Sequence, residues 1–335
     1  MVVSAQTAKK NPAVRAAKPH ALLLSALPAS DAAAVVNTQK LLDGVMPQLL
    51  GANSAKMREI NKKIDDIKAQ LGIDLRQFET LAVGANFKQN SSRDIDVEPV
   101  MLAKGNFSAG AMVALAKVAA GGKYREETVG EKAVYVFSAK EIFAEATSNA
   151  NKNSVEKFLD SLLKNFNGEF ALAAAGSDTL AIGSSARVKE TLEARSALSP
   201  EVKSMIQVRP DSVMAFGGNV PRGMSAFFGI GGNDEIAQNI DSIKQLFGYL
   251  NMNAAGNASL LVAARTFDLK QANTLYDTLT GLQMIGKAFI GAVKGPEKKV
   301  FERLIDNARI TQNQTQVELN LDVMQSDLTV LAKKL

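Results

Sequence analysis

Apolar residues recur along this chain at two spacings. Between Met57 and Leu71 they fall at Ile60, Ile64, Ile67 and Leu71, the three-and-four interval of one helical face. A similar interval over Asp31–Leu50 predicts another helix. "ETLAVGANF" (79–87) and "EPVMLAKGNF" (98–107) are instead short apolar runs of strand length, and the polar stretch "KQNSSRDIDV" between them reads as a hairpin connection. Two more hairpins are predicted, one in "KYREETVGEKAVYVFS" turning at Gly130-Glu131 and one in "EFALAAAGSDTLAIGSS" turning at Gly176-Ser177-Asp178. Helical intervals return over Ile142–Asn165, over Arg187–Ile206 with a break near Pro200, and over Leu269–Val293 and Glu297–Ala308. In "TQVELNLDVM", Val317, Leu319, Leu321 and Val323 alternate with Glu318, Asn320 and Asp322, the pattern of a half-solvated strand. Hairpins mixed with helices predict an α+β fold with mainly antiparallel sheet, packed by long helices.

Some segments resemble one another. "KIDDIKAQLG" (63–72) and "NIDSIKQLFG" (239–248) agree at five of ten positions. At a constant offset of 160, Ala103, Phe107 and Leu115 meet Ala263, Phe267 and Leu275, and Ser108 and Asp268 occupy one N-cap position. "ALLLSALP" (21–28) and "MAFGGNVP" (214–221) both read as apolar strands stopped by proline. In register, the three pairs predict two related halves, 20–207 and 208–335, behind a basic linker at 1–19. A strand running into a proline, a long helix, hairpins and then "LAIGSSARVKETLEA" (180–194) resemble a group of predicted secreted bacterial proteins with a tandem α+β fold. The resemblance implies an exported protein and supplies no catalytic residue.

Charge changes this picture little. Of the formal net charge of +5, residues 1–20 carry +4 through Lys9, Lys10, Arg15 and Lys18, so the remainder is nearly neutral. A basic stripe interleaved with aromatics is missing, which argues against a nucleic-acid partner. No run reaches the roughly 18 apolar residues of a membrane helix. Val3-Ser4-Ala5 fits the small-residue pattern before a signal-peptidase cut, so Met1–Ala5 is read as the remnant of an export signal and the protein as extracytoplasmic, periplasmic or secreted.

Candidate chemistry is thin. With no cysteine, thiolate nucleophiles and thiolate metal sites are excluded, and one histidine, His20, excludes a multi-histidine site. His20 reads as a strand-edge residue. Gly229, Gly231 and Gly232 approach a dinucleotide fingerprint, but Asp234 stands where the third glycine is needed and adds negative charge at the helix start. A bend between two helices, capped by Asn233 or Asp234, is the reading, and no cofactor is implied. Ser154 and Lys157 have the spacing of Ser/Lys acyl-transfer enzymes without the companion motifs, so Ser154 reads as an N-cap. Asp94, Asp96 and Glu98 alternate beside the first hairpin, a weak calcium candidate lacking the spacing of an EF-hand loop. The helix over Leu269–Val293 is apolar around much of its girth, with Met284, Ile285, Phe289 and Ile290. Central burial is the simpler reading, and a face for a partner or an apolar ligand the other.

The sequence therefore points to a non-enzymatic binding or structural accessory protein of the cell envelope, acting through contacts with another protein or an envelope component. Carriage or sensing of an apolar small molecule is the alternative, and a hydrolase using only Asp, Glu, Ser or Lys comes third.

Overall fold

A computed structural model of the chain describes residues 19–332 apart from 52, 92–93, 139–168, 195–196, 228–233, 291–294 and 296. The helix expected over Ile142–Asn165, Ser154 and Lys157 with it, lies outside the described residues. So do the three glycines before Asp234.

The chain opens with helix α1 (Pro19–Ala26) and strand β1 (Ala32–Asn37), then a π-helical turn (Lys40–Val45), α2 (Met46–Leu50) and α3 (Ser54–Leu71). The hairpin β2 (Phe78–Ser91) and β3 (Asp94–Gly105) leads to α4 (Ala109–Ala119). Hairpins β4 (Tyr124–Val129) with β5 (Lys132–Ser138), and β6 (Glu169–Ala174) with β7 (Thr179–Gly183), precede α5 (Ser185–Glu193) and α6 (Pro200–Ile206). The chain continues through β8 (Met214–Asn219), α7 (Met224–Phe227), α8 (Asp234–Asp241), β9 (Ile243–Met252) and β10 (Ala258–Thr266). It ends with α9 (Leu269–Ile290), α10 (Glu297–Asn307), β11 (Arg309–Asn313), β12 (Gln316–Val323) and α11 (Gln325–Ala332).

All these strands join one twelve-stranded sheet in the order β11-β12-β10-β9-β8-β1-β2-β3-β7-β6-β5-β4. Every neighbouring pair is antiparallel. The fold is thus α+β on a large antiparallel sheet. All three predicted hairpins form, the second and third at the turns expected. In the first, most of the stretch read as a polar connection (88–97) is itself paired strand, because β2 runs to Ser91 and β3 starts at Asp94.

Period-two alternation gives each strand two faces. On one face Ala33, Val35, Ala82, Val100, Leu102, Ala215, Phe247 and Ala263 pack against Leu24 of α1 and Leu27 just after it, Val188 of α5 and Met205 and Ile206 of α6. Small strand residues let these helices sit close: a Cβ at Gly217 would lie 2.5 Å from Met205 Cβ. The other face carries separate clusters. Under α4, Met112 and Val113 meet Phe137, Leu172 and Leu180, with Phe78, Phe107 and Phe170 packed against them. Under α9, Leu275 meets Ala264 and Val317.

Local expectations fail at three places. Asp31–Leu50 is not one helix. Its alanine-rich start is β1, a central strand paired with β2 and β8, and helix begins only after Asn37, whose side chain accepts a 2.7 Å hydrogen bond from Lys40 N–H. Pairing on both edges outweighs the helix preference of alanine. "ALLLSALP" is helix α1, not a strand, because Leu23, Leu24 and Leu27 form one buried helical face. His20 therefore lies in a helix and not at a strand edge. Finally, "KIDDIKAQLG" is helical throughout and ends on Gly72 (φ +70°), whereas "NIDSIKQLFG" crosses from the end of α8 into β9. Those two stretches do not occupy corresponding elements. The pair at offset 160 falls otherwise: Ala103 and Ala263 lie in β3 and β10, and Ser108 and Asp268 each accept a backbone N–H at the start of α4 and α9 (3.3 and 2.9 Å).

Candidate functional site

Four places bring polar or exposed apolar groups together. The first is a charged clip between β4 and α5. The Glu127 carboxylate accepts from Ser185 Oγ (2.8 Å) and Arg125 Nε (2.9 Å), and Lys189 Nζ lies 2.5 Å away. Ser185 and Lys189 sit one helical turn apart, so both reach the same oxygen. Hydrogen bonds from Lys189, Arg125 and Ser185 pull the Glu127 carboxyl from 4.5 down to about 2. The serine is a donor to a carboxylate and the lysine is paired, so the cluster holds a helix to a strand and activates no nucleophile.

Nearby Arg187 is the largest fully buried side chain among the described residues. Its guanidinium meets Glu190 and donates to Ser30 Oγ (2.7 Å), while Nε has no acceptor among the described residues. The group ties α5 to the loop before β1.

An open groove of about 600 Å³ is lined by Gln89, Arg222, Gly223, Asp241, Phe267 and Gln271. Its polar atoms are largely engaged within the protein. Both Asp241 oxygens accept from Ser225 (2.9 Å each), Gln89 donates to the Arg222 carbonyl, and Gln271 accepts from Phe267 N–H. Asp234, singled out in the glycine-rich stretch, begins α8, the helix whose last residue, Asp241, lines this groove.

The fourth place is α9. Central burial does not hold for its C-terminal half: Leu282 is 45%, Met284 71%, Ile285 53% and Phe289 72% exposed, while Ile290 is buried. Leu282, Ile285 and Phe289 follow the three-and-four interval and form one stripe; Met284 is turned some 200° from Leu282 by the helical rotation and does not join it. Thr278 begins the stripe. There α8 lies against it, with Asn239 donating to Thr278 Oγ1 (2.7 Å), and Leu282, one turn further on, is open to solvent. On the far flank α10 is fixed by Gln283, which donates to the carbonyls of Ile305 and Ala308 (2.7 and 2.8 Å). The sequence pattern showed that α9 is apolar around its girth, but not which side its neighbours leave open.

The calcium candidate lies along one strand. Asp94, Asp96 and Glu98 sit at alternate positions of β3, and Asp96 accepts from Asn90 Nδ2 (2.8 Å). Among the described residues no group of three His, Cys, Asp or Glu side chains is placed to hold a metal ion, and no helix is long and apolar enough to cross a membrane. No family model, curated protein or solved structure matches this chain.

Proposed function

We propose that this is an extracytoplasmic, non-enzymatic accessory protein that acts by binding another protein through the apolar stripe of α9. The observation carrying this reading is the run Leu282–Ile285–Phe289, open to solvent on a helix whose other flanks are fixed by α8 and α10. Three large apolar side chains on one stripe lose free energy to water until something covers them. The test is a photo-crosslinking residue placed at position 289 and, as a control, at Val118, which is 77% exposed on α4. One discrete adduct from position 289 and none from 118 is the expected result in the native host. Equal smears from both would remove the reading. Export is tested separately by the mass of the mature N-terminus, where an uncut chain would count against it.

The proposal includes a duplicated architecture. Strand orders β1-β2-β3-β7-β6 and β8-β9-β10-β12-β11 run the same way outward from the β1–β8 pair. A capped helix follows β3 and β10 alike. The extra hairpin strands β5 and β4 extend only the first span. An alignment of relatives in which the columns of Ser108 and Asp268 fail to coincide would sink the duplication.

A further inference from the structure

A cavity of about 270 Å³ opens between the π-helical turn with α2 on one side and α3 on the other. Met57, Ile60, Asn61 and Ile64 line it from a single stripe of α3, and Leu42 and Met46 face them. Helix α2 ends at Leu50 and the chain turns back at Asn53, whose side chain caps α3 through Lys56 N–H (3.0 Å), so that the two helices diverge around the wedge. Leu42 belongs to the π turn, in which Met46 N–H reaches Leu41 C=O, and π turns are frequent at functional sites. Met46 and Met57 supply side chains that adapt to a guest.

The polar side of the cavity is specific. Asn61 is half-buried in the lining, and its side-chain amide has no partner among the described residues. Arg76, at the same mouth, is already held by Asp65 (2.8 Å) and by Asp74 (3.6 Å), and Asp74 also pairs with Lys68 (2.9 Å). Asp43 lines the cavity as well, so an added anion would meet a carboxylate and a guanidinium that is already paired, and is disfavoured.

We infer that this wedge binds one small neutral amphiphile, its apolar body against Leu42, Met46, Met57, Ile60 and Ile64 and a single hydroxyl or carbonyl on the Asn61 amide. The volume is not far from twice that of an apolar cavity of roughly 150 Å³ that takes benzene. The site is independent of the α9 stripe.

The test uses the full chain with the neutral fluorophore phenylnaphthylamine, displaced by octanol or by octanoate. Saturable one-to-one binding is expected, with octanol displacing at least about tenfold better than octanoate. Ile60→Trp, which fills the wedge, should weaken the probe by about tenfold or more, while Phe289→Ser leaves it unchanged. Asn61→Leu keeps the helix and should erase the preference for octanol over an alkane of equal length, which guards against misfolding of the tryptophan variant. The inference is overturned by absence of saturable binding to the unsubstituted protein, by octanoate competing as well as octanol, or by binding that survives Ile60→Trp and disappears in Phe289→Ser.

Discussion

Glu127 shows how a single side chain links pH to stability. Its carboxyl titrates near 4.5 when free of its partners and at about 2 in the fold, held down first by Lys189, then Arg125 and Ser185. A depressed folded value means the stabilisation is full above about 4.5 and is lost as pH falls toward 2. The carboxylate is partly open to water, so solvent screening reduces its contribution to roughly 1–2 kcal/mol. Glu127→Gln is therefore expected to lower the urea-unfolding free energy by about that amount at pH 7, with the difference vanishing near pH 2. An equal loss at both pH values would show that the side chain acts by packing and not by charge. Asp178 shifts in the same direction, held down first by its hydrogen bond with Lys104.

Whole elements are placed by what their surfaces allow. Helix α6 rests on β8 because Gly217 offers no Cβ, and one added there would stand 2.5 Å from Met205 Cβ and 3.3 Å from Phe247 Cβ. Gly217→Ala should destabilise by about 1–3 kcal/mol through displacement of α6. Gly281, within α9, has nothing within 4 Å of the corresponding position. Gly281→Ala should stabilise by roughly 0.5–1 kcal/mol, since alanine restricts the unfolded chain and favours helix. Chemical denaturation of the two variants side by side checks both signs; a destabilised Gly281→Ala would mean that α9 is covered there by another part of the chain. Helix α9 itself was legible as an element, and its leading edge matched the predicted start at Leu269.

Across the whole molecule, the β1–β8 pair decides the mechanics. Ala34 pairs with both Val83 and Phe216, so the strand beginning the first span is an interior strand of the sheet shared with the second. One buried cluster runs from Leu24 and Val188 to Phe247 and Ala263, crossing the boundary between the spans. Calorimetry should give one transition, with calorimetric and van't Hoff enthalpies equal. Two resolved transitions would mean that the spans unfold as separate units.

Most elements could be read from the chain because their signals are local. The turn at Gly130-Glu131, the N-caps at Ser108 and Asp268, the helical face of α3 and the alternation of β12 depend on neighbours a few residues away. Local signals failed where long-range pairing set the outcome. Ala32–Asn37 carries no mark that two strands will flank it, and Asn239–Gly248 holds helix-like spacing across a helix–strand junction. The composition by itself excluded thiolate and multi-histidine chemistry, for residue types that are absent cannot act. Which apolar positions stay open, the Leu282–Ile285–Phe289 stripe and the wedge beside Ile60, was decided only by the tertiary structure, because exposure depends on where α8, α10 and α2 end and not on the residues they leave uncovered.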